Sequence, residues 1–85
     1  MLLRDKFCLI TGASKGIGKA ISEIFAKEGA IIVATGRDLE SLNLMVANLP
    51  VNSGPHLVFK MDVSKEEDVL RVFNELSQNR VFIHC

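Results

Sequence analysis

Residues 8–21 read CLITGASKGIGKAI, and this stretch decides the fold. The apolar run from Phe7 to Thr11 is short and ends at a glycine, which predicts a strand buried on both faces. Three glycines follow within seven residues, Gly12, Gly16 and Gly18. From Ile17 to Phe25 apolar residues recur at helical spacing. The stretch therefore predicts a strand, a glycine-rich turn and a helix.

Alternating strands and helices are predicted for the rest of the chain. The β-branched run from Ala30 to Gly36 predicts a second strand, and Asp38 is positioned to cap a second helix that ends at Pro50. Residues 56–63, HLVFKMDV, predict a third strand. Residues 80–85, RVFIHC, predict the opening of a fourth.

Each predicted helix has an apolar face. In the third helix, Ser64 and Glu67 have the spacing of a capping box, in which each residue satisfies a backbone N–H of the other. The predicted faces comprise Ile17, Ala20, Ile21, Ile24 and Phe25; Leu39, Leu42, Val46 and Leu49; and Val69, Val72, Phe73 and Leu76.

The order β-α-β-α-β-α-β predicts an α/β fold with a parallel, doubly wound sheet. Right-handed crossovers place the first two helices on one face of the sheet and the third on the other. In this arrangement the fourth strand returns beside the first, so the expected strand order is 3-2-1-4. Residues 1–85 are expected to form a single domain, with a ligand site at the carboxyl end of the first strand.

Composition excludes several classes of partner. Of the 85 residues, 48% are hydrophobic and the formal net charge is zero, which argues against nucleic-acid binding through a basic surface. No apolar run is long enough to span a membrane. Cys8 and Cys85 lie far apart without metal-ligand spacing, so we expect no metal site, no disulfide and a reducing compartment. We expect a cytoplasmic protein, with the mitochondrial matrix as the alternative.

The glycine-rich turn suggests a phosphate site. A helix N-terminus carries unpaired N–H groups and a partial positive charge, and a phosphate reaches them only where side chains leave room. The spacing does not match the P-loop, G-x-x-x-x-G-K-[ST], because Ala13 and Ala20 occupy required positions. It also differs from G-x-G-x-x-G. A tight turn without a ligand remains the alternative.

The loop TGASKGIG resembles the cofactor loop of the short-chain dehydrogenases/reductases, whose pattern is T-G-x-x-x-[AG]-x-G. The resemblance extends through DKFCLITG at the start, GRD after the second strand and MDVS after the third. It implies that residues 1–85 are the partial NAD(P)-binding Rossmann domain of such an enzyme, ending before the catalytic segment. Family members are about three times as long and have a seven-stranded sheet.

The resemblance assigns candidate cofactor residues. Gly12, Gly16 and Gly18 would line the pyrophosphate, and the backbone N–H of Ile17 would contact it. Asp62 and Val63 are similar to the pair that contacts adenine, although a turn carboxylate is the alternative for Asp62. Thr11 would tie the first strand to a neighbouring segment.

The choice between NADP(H) and NAD(H) depends on the end of the second strand. An acidic side chain there would bind the ribose 2′-hydroxyl of NAD, but Gly36 has no side chain and Arg37 follows it. Arg37 and Lys15 could bind a 2′-phosphate, with the hydroxyl of Ser14 beside them. With Asp38 interpreted as a helix cap, NADP(H) is the expected cofactor and NAD(H) the alternative.

The resemblance also implies a reaction. Intact members transfer hydride between nicotinamide and a carbonyl or secondary alcohol, on 3-oxoacyl, steroid or general carbonyl substrates. They use an N-N-A-G segment, a serine and a Y-x-x-x-K pair, and this sequence contains no tyrosine. We therefore assign no catalytic residue and expect the chain alone to be inactive. The alternative is an inactive nucleotide-binding or interaction module that associates with intact family members.

Overall fold

The computed structural model describes every residue from Met1 to Cys85. The longest helix has 13 residues, and no helix is both long and apolar enough to cross a membrane. The elements in chain order are β1 (Phe7–Thr11), α1 (Gly16–Lys27), β2 (Ile31–Gly36), α2 (Leu39–Ala47), β3 (Leu57–Lys60) and α3 (Glu66–Gln78).

The strands form one parallel sheet with β2 at its centre. Phe7 is in register with Ile31 on β2, and Val33 of β2 is in register with Leu57 on β3. The predicted parallel α/β fold and the 3-2-1 part of the strand order are therefore confirmed. Strand β3 is shorter than the predicted run of residues 56–63. Before it, Nδ1 of His56 accepts the Ile32 N–H at 2.9 Å, and after it Asp62 and Ser64 form a hydrogen-bonded turn.

Separate apolar cores cover the two faces of the sheet. On one face Ile32 and Ala34 of β2 pack with residues of α1 and α2, while on the other Val33 packs with Val72 and Leu76 of α3. The alternation along β2 follows from the twofold periodicity of a strand. The prediction that α1 and α2 share one face and α3 takes the other is confirmed.

The apolar face predicted for α1 is confirmed only in part, because Ile21 and Phe25 pack against the core but the other predicted residues are exposed. Ser22 and Ala26 are its buried residues, whereas Ile17 and Ile24 are 79% and 58% exposed. Gly18, Ser22 and Ala26 are four residues apart, so small residues line the side of α1 that approaches the sheet. The bulky residues lie on the flank of α1 next to β1, where Ile17, Ile21 and Phe25 line an open groove between the helix and that strand.

The third helix differs from its prediction in the exposure of Phe73 and in its N-cap residue. Val72 and Leu76 are buried as expected and Val69 is partly buried, but Phe73 is 43% exposed. The expected capping box is wrong, because Lys65 occupies the N-cap position and no side chain caps the helix. The hydroxyl of Ser64 instead donates to Asp62 at 2.6 Å.

The predicted fourth strand is not formed as a strand, so the full order 3-2-1-4 is not established. The segment Val81–Cys85 nevertheless lies beside β1 and runs in the same direction. The His84 N–H donates to the Phe7 carbonyl at 2.8 Å, and the Leu9 N–H donates to the Cys85 carbonyl at 2.7 Å. These bonds cover the first half of the outer β1 edge.

The expectation of unpaired cysteines is wrong for this structure, because Cys8 and Cys85 are joined as a disulfide. Their Cα atoms lie 4.5 Å apart although 77 positions separate them in sequence. Cys8 is fully buried on β1, as expected for a small core side chain, and the segment Val81–Cys85 brings Cys85 alongside it. The sequence did not reveal this proximity, because it depends on how residues 81–85 return to β1.

Candidate nucleotide-binding site

The loop between β1 and α1 requires glycine at two positions for conformational reasons. Gly12 and Gly16 have φ angles of +60° and +50°, a region that other residues rarely adopt. A Cβ added at either position would meet no atom within 4 Å. Open space therefore adjoins both glycines at the carboxyl end of β1.

Gly18 is required for a different reason, which is close packing. A Cβ on Gly18 would collide with the carbonyl of Gly12 and lie 3.1 Å from the carbonyl oxygen of Thr11. The first turn of α1 therefore sits directly against the end of β1. On the same helix, the hydroxyl of Ser22 donates to the Gly18 carbonyl at 2.8 Å.

The N-terminus of α1 has unpaired backbone donors. The N–H groups of Gly16, Ile17 and Gly18 have no acceptor within the protein. No side chain caps the helix, and its first turn contains no acidic residue. The other helices differ, since Asp38 caps α2 and acidic residues occupy the first turn of α3. Only the α1 terminus leaves its positive dipole end uncompensated by protein groups.

Two cations flank this terminus without forming ion pairs. Lys15 precedes α1 and Arg37 follows β2, and both residues are exposed. The only salt bridge in the structure joins Arg71 to Asp68, at 3.8 Å. The charged groups of Lys15 and Arg37 are thus available to an anion, and Ser14 lies partly buried in the same loop.

The predicted role of Asp38 as a helix cap is confirmed. Its carboxylate accepts the Ser41 N–H at 3.3 Å and the Ser41 hydroxyl at 2.8 Å. Both hydrogen bonds lower the pKa of Asp38 below its ordinary value of 3.8, with a smaller contribution from the charge of Lys15. Asp38 is therefore an ionised cap directed at α2.

Asp62 follows β3 and has one carboxylate oxygen engaged. Its Oδ1 accepts from the Ser64 hydroxyl at 2.6 Å and the Ser64 N–H at 3.0 Å, which lowers the pKa of Asp62. The ends of β2 and β3 are adjacent, since Gly36 is in register with Lys60, and the charge of Arg37 lowers the pKa of Asp62 further. Oδ2 has no hydrogen-bond partner, and the neighbouring Val63 is 61% exposed.

The candidate residues therefore come from three loops at one end of the sheet. A family profile described as "short chain dehydrogenase" matches residues 6–83. The chain belongs to the short-chain dehydrogenase family. This membership confirms the resemblance drawn from TGASKGIG, GRD and MDVS, and it agrees with the Rossmann-type arrangement of parallel strands and helices described above.

Individual short-chain dehydrogenases support the assignment. A farnesol dehydrogenase of Aedes aegypti is 46% identical over 69 residues, covering 80% of this chain and 28% of the relative. A human 3-oxoacyl-[acyl-carrier-protein] reductase is 37% identical over 75 residues, covering 88% of this chain and 30% of the relative. The chain thus spans less than a third of the length of these curated relatives.

A solved structure shows the same fold. A short chain dehydrogenase from Shigella flexneri, in complex with NADP, superposes with a TM-score of 0.81 at 27% identity. The match covers 92% of this chain and 34% of that protein. The architecture around the glycine loop is therefore that of a short-chain dehydrogenase known to hold NADP.

Two contributors to the site were not identified from the sequence. Asp68 accepts the backbone N–H of Asp62 at 3.0 Å and so helps to fix the turn after β3; its place in the first turn of α3 was the available signal. Thr35, rather than Thr11, ties β1 to its neighbour, because its hydroxyl donates to the Ile10 carbonyl at 3.0 Å. The hydroxyl of Thr11 makes no hydrogen bond in the structure.

Proposed function

We propose that this chain binds NADP(H), with the pyrophosphate on the N-terminus of α1. The observation that carries the proposal is the set of unpaired N–H groups at Gly16, Ile17 and Gly18. An uncapped helix terminus combines hydrogen-bond donors with a positive dipole end, which favours a phosphate. The open space beside Gly12 and Gly16 leaves room for such a group to approach the backbone.

The preference for NADP(H) rests on the charges around the loop. Lys15 and Arg37 are unpaired cations, and a guanidinium can bind a 2′-phosphate through two parallel hydrogen bonds. Both carboxylate oxygens of the nearby Asp38 already accept hydrogen bonds from Ser41, so Asp38 is a poorer acceptor for the 2′-hydroxyl of NAD. Ser14 would supply a further hydroxyl on the same side.

The adenine would lie against the turn after β3. Asp62 retains one carboxylate oxygen without a partner, which could accept the exocyclic amino group of adenine. The exposed side chain of Val63 would pack against the base. The hydrogen bonds from Ser64 and the Asp68 carboxylate hold Asp62 in place, so the ligand need not order this turn.

The reaction would be hydride transfer between nicotinamide and a carbonyl or secondary alcohol, carried out by an intact protein of which these residues form the cofactor-binding part. The bound nicotinamide would supply the hydride chemistry, and this chain's residues would hold the phosphate and adenosine ends. Because the chain contains no tyrosine, it lacks the family's tyrosine acid/base, and we expect no turnover from residues 1–85 alone. An inactive module that binds the nucleotide, or associates with an intact relative, is the second candidate.

Isothermal titration calorimetry of the 85-residue chain with NADPH and NADH tests the proposal. We expect saturable binding of NADPH and at least about tenfold weaker binding of NADH, since each charge-assisted hydrogen bond to the 2′-phosphate contributes on the order of 1.5–3 kcal/mol. Equal affinities would contradict the NADP(H) preference but leave the site intact. Binding of neither cofactor would contradict the site itself.

A further inference from the structure

We propose that Cys8 and Cys85 form a reversible redox staple, a modification site that fastens the segment Val81–Cys85 to the outer edge of β1. The Cα atoms of the pair are 4.5 Å apart, within the range of about 4.4–6.8 Å found for disulfides. This inference is independent of the nucleotide site, because the pair lies below the glycine loop on the β1 strand.

Besides the disulfide, backbone hydrogen bonds hold the segment that carries Cys85 against β1. The Leu9 N–H donates to the Cys85 carbonyl at 2.7 Å, and the His84 N–H donates to the Phe7 carbonyl at 2.8 Å. In addition, Nδ1 of His84 accepts the Phe7 N–H at 3.0 Å. These contacts lie on both sides of Cys8, so they hold Cys85 opposite it.

The two cysteines differ in access to solvent, which sets the order of the exchange. Cys85 is an exposed residue, whereas Cys8 is fully buried in the core. With glutathione disulfide as oxidant, the Cys85 thiolate attacks one glutathione sulfur and releases the first glutathione thiolate. The Cys8 thiolate then attacks the Cys85 sulfur of the mixed disulfide and releases the second.

The exchange transfers two electrons from the two protein thiols to one glutathione disulfide. Both protein thiols lose a proton, one S–S bond forms between them, and the two electrons reduce glutathione disulfide to two glutathione molecules. Excess glutathione or dithiothreitol reverses the reaction. In the oxidised form the disulfide fixes the segment Val81–Cys85 along the first half of the β1 edge, and in the reduced form it is retained by hydrogen bonds and by the packing of Val81 and Ile83 against the core. The staple therefore controls how much of an unpaired strand edge is exposed.

Peptide mapping of the oxidised protein provides the first test. Trypsin cleaves after Lys6, Lys15 and Arg80, so the staple should link peptide Phe7–Lys15 to peptide Val81–Cys85. The linked pair should disappear on reduction and should be absent from the Cys85→Ser variant. Two free thiols after incubation with glutathione disulfide, or a disulfide between two chains, would overturn the proposal.

Thermal denaturation tests whether the staple matters for the fold. The bond closes nearly the whole chain into one loop, since the cysteines are 77 positions apart. For a loop of this length, reduction should lower the melting temperature by about 10 °C or more. Cys85→Ser, which leaves the buried Cys8 unchanged, should melt at the temperature of the reduced protein in either buffer. Equal melting of oxidised and reduced wild-type protein would also overturn the proposal.

Discussion

The carboxylate of Asp38 accepts both the backbone N–H of Ser41, at 3.3 Å, and its hydroxyl, at 2.8 Å. This pairing engages both carboxylate oxygens of Asp38, which follows β2, in capping α2. The cations Lys15 and Arg37 are then the charges available to a ligand. A local capping interaction thereby favours a phosphorylated ribose over a free 2′-hydroxyl.

The hydrogen bonds from Ser41 make stability depend on acid pH. They lower the folded-state pKa of Asp38 below 3.8, so the stabilisation is complete above about pH 3.8 and is lost as pH falls through the folded-state value. An asparagine at this position would also cap the helix but would not titrate. Asp38→Asn should therefore lose less stability than wild type between pH 5 and pH 2.5, measured by urea unfolding. An identical loss in the two proteins would contradict this role.

Arg37 should determine selectivity between the two dinucleotides. Arg37→Gln removes a charge-assisted contact to the 2′-phosphate, so NADPH affinity should fall about 10- to 100-fold while NADH affinity stays within about twofold. Lys27→Gln is the matched control, because it removes a cation from the opposite end of α1. Equal weakening of both cofactors by Arg37→Gln would argue against a contact with the 2′-phosphate.

Gly18 should be the least replaceable glycine of the loop for stability. Gly18→Ala places a methyl group against the Gly12 carbonyl and should cost about 2–3 kcal/mol of unfolding free energy. Gly16→Ala, with a φ of +50° but open space, should cost about 1 kcal/mol. Gly54→Ala is the control, since its Cβ would meet only the end of the Ile31 side chain. Urea denaturation measures all three, and equal costs at Gly18 and Gly54 would contradict the packing argument.

His56 should stabilise the junction between β2 and β3 through both ring nitrogens. Nδ1 accepts the N–H of the fully buried Ile32 at 2.9 Å, and Nε2 lies 2.7 Å from the Pro50 carbonyl, to which it donates. His56→Ala leaves the Ile32 N–H unpaired and should cost about 1–3 kcal/mol. His56→Asn should recover part of this cost, because its side-chain oxygen can replace Nδ1. An unchanged urea midpoint for His56→Ala would show that the hydrogen bond contributes nothing.

The sequence predicted the architecture well because the alternation of buried strands and helices is unambiguous here. It did not predict which face of α1 meets the sheet. Two stripes run along that helix at similar periods, a bulky one through Ile17, Ile21 and Ile24 and a small one through Gly18, Ser22 and Ala26. Hydrophobicity alone predicts that the bulky stripe faces the sheet. In the structure the small stripe faces it, because α1 packs so closely against the end of β1 that only glycine fits at position 18.

The candidate site could be located from the spacing of the glycines but not described in detail. Ser64 was expected to cap α3, yet it binds Asp62, because neighbouring polar side chains compete for the same backbone groups. The contact of Cys85 with Cys8 depends on the return of residues 81–85 to β1, which no local pattern encodes.

Amide chemical shifts in ¹⁵N-labelled protein, followed during titration with NADP⁺, test the central claim most directly. The account predicts saturable shifts of the Gly16, Ile17 and Gly18 amides, because these N–H groups are the unpaired donors of α1. The amides of Leu76, Ser77 and Gln78, in the last turn of α3, serve as the internal reference and should stay in place. Saturable binding that leaves the three α1 amides unshifted would contradict the account.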